Sequence, residues 1–218
     1  MIRLAALLLR RDLARLMPGR GGSFLPVLFF LAVAMLFPFA VGPDAALLGR
    51  TGGGIIWIAA LLAAILPLDR LVAPDLDAGV FDQLALRGIA DELTLTVRLL
   101  AHWLTFAPFL LFAAFPAAAL LGLDGTTLHF VLLGLMAGTP GLAAIGVTIA
   151  TLTAGLRGGT ALAGLLLIPL ASPILIFGAG ALTRQDYGAL ALCGAVSLVL
   201  VAGAPFAGAA AVRAARES

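Results

Sequence analysis

Two histidines, one tyrosine and one cysteine are the only ionisable side chains near the long apolar stretches of this sequence, apart from the charged residues between them. His102 lies one turn past Arg98, and His129 follows Asp124-Gly125-Thr126-Thr127. Either imidazole could ligate haem iron or a metal ion, but the two fall at opposite ends of the apolar stretches and cannot share one ion. The competing reading of each is an interfacial histidine whose polar tip hydrogen-bonds near the headgroups. Cys193 stands alone, which excludes an intrachain disulfide, a cysteine-rich metal site and covalent haem attachment through Cys-x-x-Cys-His. Serine is confined to Ser23, Ser172, Ser197 and Ser218, and Ser172 beside Pro173 has no histidine or acid near it in sequence, which argues against a serine hydrolase. The chain has no lysine, so no phosphate-binding Gly-x-x-x-x-Gly-Lys loop exists. This inventory reads as a protein that is not an enzyme, with no catalytic residue and no metal site of its own. ATP chemistry, if any, belongs to another polypeptide.

The elements that must position these groups are apolar and long. Asp, Glu, Lys and Arg are absent from Ser23–Pro43, Thr51–Leu68, Leu99–Leu123, Gly125–Leu156, Gly158–Thr183 and Tyr187–Val212. A hydrocarbon core about 30 Å thick needs roughly 20 apolar residues per helical crossing, so the economical reading is six transmembrane helices. Hydrophobic residues make up 62% and charged residues 11% of the chain, against roughly 25% charged in an average soluble domain. Residues 23–218 form one six-helix membrane domain on this reading, and no length remains for a separate soluble domain. The arginines flank the spans instead of patterning one exposed face, so nothing suggests nucleic-acid binding.

Orientation follows from those arginines. Arg3, Arg10, Arg11, Arg15, Arg20, Arg70, Arg87, Arg98, Arg157, Arg213 and Arg216 fall on one side of a six-span path, and only Arg50 and Arg184 on the other. The positive-inside bias then puts both termini in the cytoplasm. Residues 1–22 read as an interfacial amphipathic helix, with Ile2, Ala5, Ala6, Leu9, Leu13 and Leu16 at helical spacing and arginines reaching lipid phosphates. It ends in a hinge at Met17-Pro18-Gly19-Arg20-Gly21-Gly22. A cleaved or twin-arginine signal at Arg10-Arg11 is the rival reading. The long positive region, Asp12 and the lack of a small-residue cleavage site weigh against it.

One hydrophilic break is long. Residues 69–98 carry Asp69, Arg70, Asp75, Asp77, Asp82, Arg87, Asp91, Glu92 and Arg98. Within them Leu76, Val80, Phe81 and Leu84 form one stripe of a short helix, Asp75–Leu86. Pro74 suits its first turn, Asp75 and Asp77 face the positive end of the dipole, and Gly79 weakens its middle. The expectation is a cytoplasmic docking helix in which Leu76, Val80, Phe81 and Leu84 anchor a partner while Asp75, Asp77 and Asp82 set orientation. A solvated connecting turn is the alternative. Elsewhere Pro108, Pro116, Pro140, Pro169, Pro173 and Pro205 interrupt the spans, and Gly134, Gly138, Gly178 and Gly180 permit close helix contact.

Six stretches in order resemble the CcmB family, the B membrane subunit of the haem-exporter ABC complex of bacterial cytochrome c maturation. They are Leu36-Phe37-Pro38-Phe39-Ala40-Val41-Gly42-Pro43, Gly54-Ile55-Ile56-Trp57-Ile58-Ala59-Ala60-Leu61-Leu62, Ala101-His102-Trp103-Leu104, Gly138-Thr139-Pro140-Gly141, Leu156-Arg157-Gly158-Gly159 and Pro173-Ile174-Leu175-Ile176-Phe177. Asp75-Leu76-Asp77-Ala78-Gly79-Val80-Phe81-Asp82-Gln83-Leu84 is similar to the family's acidic segment, with Ala78 and Val80 replacing an acid and a hydroxyl residue. The resemblance implies an ABC-2-exporter-like permease subunit in the bacterial inner membrane. It implies docking of a separate ATPase (CcmA) through 75–86 and association with the haem-handling subunit (CcmC) and the small subunit (CcmD). An indirect link to the periplasmic haem chaperone (CcmE) follows. Haem is then a transported or handled ligand and not a cofactor of this subunit, and ATP is used by the partner. A permease for another lipophilic solute and a structural scaffold remain open beside it.

Overall fold

A computed structural model describes residues 2–17, 24–42, 44–154, 156 and 159–217, and among these every regular element is a helix. Most of the expected hinge at 17–22, and Pro43, Arg157 and Gly158 of the motifs above, lie outside the described residues. Ten helices follow in chain order: α1 (Ile2–Leu16), α2 (Leu25–Val41), α3 (Ala45–Ile65), α4 (Leu68–Leu71), α5 (Ala73–Asp77), α6 (Val80–Leu86), α7 (Asp91–Leu120), α8 (Gly125–Thr153), α9 (Gly159–Arg184) and α10 (Tyr187–Glu217). Five of them, α3, α7, α8, α9 and α10, are long and apolar enough to cross a membrane. The first expected span, α2, is apolar but has only 17 residues. At 1.5 Å per residue it reaches about 25 Å, the lower limit for a crossing.

Local chemistry sets several helix ends. Asp44 caps α3 by accepting from the Leu47 N–H at 3.0 Å, and Asp124 caps α8 by accepting from the Thr127 N–H at 2.8 Å. Hydrogen bonds to the Thr127 side chain and backbone hold the exposed Asp124 carboxyl below its usual range. Gly42, at φ +85°, ends α2 by donating its N–H to the Pro38 carbonyl. Gly159 starts α9 where no other residue fits, because a Cβ there would come within 2.6 Å of the Thr153 carbonyl oxygen.

Helix α8 lies at the centre of the bundle, packed against α3, α7, α9 and α10. The main core joins Phe30 and Ala34 of α2, Ile56 and Trp57 of α3, Phe106 and Leu110 of α7, Leu135 and Leu142 of α8, and Ile174 of α9. Its tightest point is the Trp57 ring. A Cβ at Gly134, Gly138 or Gly178 would fall 3.0, 2.6 or 2.4 Å from that ring. Three glycines on α8 and α9 therefore form the seat for one α3 indole, which brings three helices together without hydrophobic driving force from lipid. Gly180, grouped with Gly178 by spacing alone, meets nothing within 4 Å. Polar contacts also tie the helix at Pro140. Beside Pro140, the Gly141 N–H donates to Ser197 Oγ of α10 at 2.6 Å, and Thr139 Oγ1 accepts from Trp103 Nε1 of α7 at 3.1 Å. Pro38 and Pro173, by contrast, sit half-buried inside α2 and α9.

Helix α7, with 30 residues, spans about 45 Å, and α10 with 31 is as long. Both exceed a core of about 30 Å, so each extends past it at one end. The extensions meet each other and α4–α6. The expected single helix Asp75–Leu86 is instead two, because Gly79 adopts φ +65° and turns the chain between α5 and α6. A left-handed residue cannot continue a right-handed helix, and glycine tolerates that conformation without strain.

The Trp57 seat yields a paired prediction. Gly178→Ala should destabilise the detergent-solubilised protein by about 1–3 kcal/mol through overpacking, while Gly180→Ala should leave stability equal or slightly higher. Thermal unfolding of the two variants beside the parent protein checks it.

Candidate functional site

The charged residues of the arginine-rich end form two clusters, and the centre of the first is buried. Arg98, on α7, is 2% exposed. Its Nε donates to Asp12 Oδ2 at 2.8 Å, its Nη2 to Asp75 Oδ2 at 2.5 Å and to Asp12 Oδ1 at 3.3 Å, and its Nη1 to the Leu71 carbonyl. The guanidinium also lies 5.9 Å from the centroid of the Phe81 ring, a desolvated cation–π contact of up to about 2 kcal/mol. One side chain thus touches α1, α4, α5 and α6. Asp75 is shared in turn, since its Oδ1 accepts from Arg11 and Arg15 at 2.6 Å each. The Asp75 hydrogen bond raises the Arg11 guanidinium above its ordinary value, against an opposing effect of burial.

Three arginines and two aspartates leave this cluster one positive charge in excess. Arginine suits the position because its planar fork serves several acceptors at once, which a lysine ammonium at the end of a flexible stem does not. Removing one partner of a buried pair costs about 3–5 kcal/mol because it leaves an uncompensated charge.

The second cluster is more exposed. Arg213, near the end of α10, donates to Glu92 at 2.8 Å, and Arg216 pairs with Asp91 and approaches Asp82 at 3.6 Å. Asp91 and Glu92 occupy the first turn of α7, where the helix dipole also favours negative charge. Helix α10 is drawn against α7 just inside this pairing, where a Cβ on Gly208 would fall 2.9 Å from Leu95.

These contacts correct four expectations. Phe81, expected to anchor a partner, is 1% exposed and packs inside the chain. Asp75, expected to steer a partner, is buried against three arginines. Both turn inward for one reason: Arg98 belongs not to a hydrophilic break but to a continuous helix beginning at Asp91. Arg11 and Arg15 meet Asp75 instead of lipid phosphates, while Arg3 and Arg10 stay exposed. What the segment does expose is Asp77, Asp82, Gln83, Ala85, Arg87 and above all Leu86, at 89%. Leu76, Val80 and Leu84 are half-buried.

The fourth correction concerns His102, whose imidazole is enclosed by the protein instead of reaching headgroups. It is buried to 1% exposure on the same face of α7 as Arg98, one turn further along, and stacks on Phe106 with ring centroids 4.9 Å apart. Its Nε2 has no hydrogen-bond partner among the described residues. A Cβ on Gly146 of α8 would fall 3.1 Å from that nitrogen, so a porphyrin has no space there in this conformation. His129 is exposed at the start of α8, beside Phe130. Among the described residues no three His, Cys, Asp or Glu side chains gather as a metal site, and Cys193 is buried between α9 and α10. Asp12 is the residue that sequence reasoning missed. Its signal was available: it is the single acid before Asp44, set among five arginines.

The family described as "CcmB protein" matches residues 3–215. The chain is 42% identical over 211 residues to heme exporter protein B of Rhodobacter capsulatus, covering 94% of this chain and 97% of that protein. It is 41% identical over 213 residues to heme exporter protein B of Bradyrhizobium diazoefficiens, covering 94% and 96%. The protein of the same name from Escherichia coli K12 is 38% identical over 193 residues, covering 86% and 88%.

The buried Arg98–Asp75 pair sets a stability expectation. Asp75→Ala leaves the buried Arg98 with Asp12 as its one carboxylate partner and should cost about 3–5 kcal/mol, whereas Arg10→Ala, at an exposed site, should change stability by less than about 0.5 kcal/mol. Chemical unfolding of both variants in the same detergent checks the contrast.

Proposed function

The chain belongs to the CcmB family, and from that premise we propose that it is the permease subunit of an ABC-type haem exporter serving cytochrome c biogenesis. On this reading six helices cross the inner membrane, α2 being the short one, and both termini face the cytoplasm. The placement of α1 and of the end of α10 supports an even number of crossings. Asp12 of α1 and Arg216 of α10 both pair with residues of the one arginine-rich end, and the positive-inside bias makes that end cytoplasmic.

The subunit performs no ATP chemistry. A separate ATPase (CcmA) docks on the α5–α6 segment, and the haem-handling subunit (CcmC) and small subunit (CcmD) pack against the bundle. Hydrolysis in the partner then drives release of the haem-loaded chaperone (CcmE). Haem is cargo on this reading, handled without a ligand from this chain, and the close packing of Gly146 on His102 favours force transmission over carriage. The observation that carries docking is Leu86. A large apolar side chain at 89% exposure, flanked one turn back by Asp82 and Gln83, is an anchor waiting for a pocket, while the neighbouring charges set orientation and association rate.

Two tests follow. Leu86→Ala should weaken retention of the ATPase about thirtyfold if the side chain is a hot spot of about 2 kcal/mol, with membrane insertion unchanged. Unaltered ATPase recovery and unaltered cytochrome c formation move docking elsewhere. Reporter fusions after Glu217 and near Gln83 should read cytoplasmic, and those near Asp44 and Asp186 periplasmic. A periplasmic C-terminus would require an odd number of crossings and overturn the architecture.

A further inference from the structure

We propose that Arg98 is the positioning residue through which displacement of the α5–α6 segment reaches the membrane-spanning helix α7. The inference rests on the reading that α5–α6 meets the ATPase. It deepens that reading by naming the link between the docked segment and the bundle.

Three observations carry it. First, Arg98 is where the elements converge: through Asp12, the Leu71 carbonyl, Asp75 and the Phe81 ring, its guanidinium holds α1, α4, α5 and α6 to α7. A push on α6 moves Phe81 and Asp75 against it.

Second, the charge arrangement lets one link open without exposing a bare ion. Asp75 accepts from Arg98 at 2.5 Å but also from Arg11 and Arg15 at 2.6 Å, and Arg98 retains Asp12 at 2.8 Å. If the Asp75–Arg98 contact breaks, Asp75 stays paired with two arginines of α1, and Arg98 stays paired with an aspartate of α1. Helix α1 is therefore a bearing that both partners keep while α5 moves relative to α7. A buried pair with no alternative partner would resist such motion, because separation leaves an unpaired charge in a dry site. An element with two arrangements of similar energy is what a switch requires.

Third, the motion has a path onward. One turn along α7, on the same face, the His102 ring meets Gly146 of α8 with only 3.1 Å to the place a Cβ would occupy. A displaced α7 must then slide against α8 with the ring pressed on Gly146, so that α8 feels the motion. Helix α8 is the central helix of the bundle, held to α7 and α10 beside Pro140 by Trp103 and Ser197. Close-packed contacts of this kind transmit displacement because they deform little.

The test uses the whole complex, with its ATPase and membrane partners, in proteoliposomes. Spin labels on introduced cysteines, with Cys193→Ala as background, report two distances with and without a trapped ATP analogue. One pair, Gln83 and Thr96, follows α6 against α7; the other, Thr96 and Leu152, follows α7 against α8. ATPase retention, ATP turnover and haem-carrier release are measured on the same samples. In Arg98→Lys, which keeps the charge but loses the fork, the ATPase should remain bound and the Gln83–Thr96 distance should still respond. The Thr96–Leu152 response should vanish, and release per ATP should fall about tenfold, within the span of single-element coupling energies. Asp75→Asn, which keeps the side-chain shape, should give the same split and serves if the lysine variant fails to accumulate. A Thr96–Leu152 response and release per ATP that survive both substitutions overturn the assignment of Arg98 while leaving docking intact. A parent complex whose Gln83–Thr96 distance ignores the nucleotide overturns the docking reading and the assignment together.

Discussion

A guanidinium removed from water must find its counter-charges inside the protein, and most of the arginine-rich end is arranged to satisfy that requirement for Arg98. Its three nitrogens and planar face meet two carboxylates, one backbone carbonyl and one aromatic ring. Of the four elements that supply these partners, the three short ones could not stay folded alone. Helices α4, α5 and α6 have 4, 5 and 7 residues, well below the roughly 12–15 that an isolated helix needs in water. Their order is tertiary, and Arg98 is its centre.

The membrane half obeys a different rule. Lipid tails are as apolar as leucine, so burial alone does not drive helices together there, and close approach and re-satisfied polar groups matter more. Both appear at named positions. Trp57 sits in a seat of three glycines, where any side chain would collide with the ring. Ser197 and Trp103 supply hydrogen bonds around Pro140, which has no N–H of its own. Two buried side-chain polar atoms stay without partners among the described residues, Trp57 Nε1 and His102 Nε2. The large exposed side chains of α9 and α10, such as Leu165, Ile168, Leu198 and Val199, belong to the opposite environment and suit lipid.

Charge and packing thus divide the molecule along its length, and α7 is the element that belongs to both halves. Its first two turns carry Asp91, Glu92 and Arg98, and the rest is apolar and interrupted by Pro108 and Pro116. A separation into an interfacial helix and a membrane domain understates this. Helix α1 packs on α7, with Asp12 as deeply buried as most core residues.

Composition and spacing by themselves determined that the chain is an all-helical membrane protein, roughly where its long helices run, which end is rich in arginine and that residues 69–98 form a separate polar segment. These properties are local: runs of apolar residues, the period of a stripe, the charges that flank each run. The family motifs were legible for the same reason, since Pro38, Trp57, Thr139, Pro140 and Pro173 are read in order along the chain. Only the tertiary structure decided which charges pair. Asp12 and Arg98 are 86 residues apart, and Arg11 and Asp75 are 64, so no periodicity connects them. That pairing is what turned Phe81 and Asp75 inward and left Leu86 outside, because a helix with an apolar stripe and an acidic stripe buries whichever side meets a partner of its own chain. It also enclosed His102 within the protein, since a helix that begins at Asp91 instead of Leu99 places the ring against Gly146, a neighbour 44 residues away that only the packing of α7 on α8 supplies.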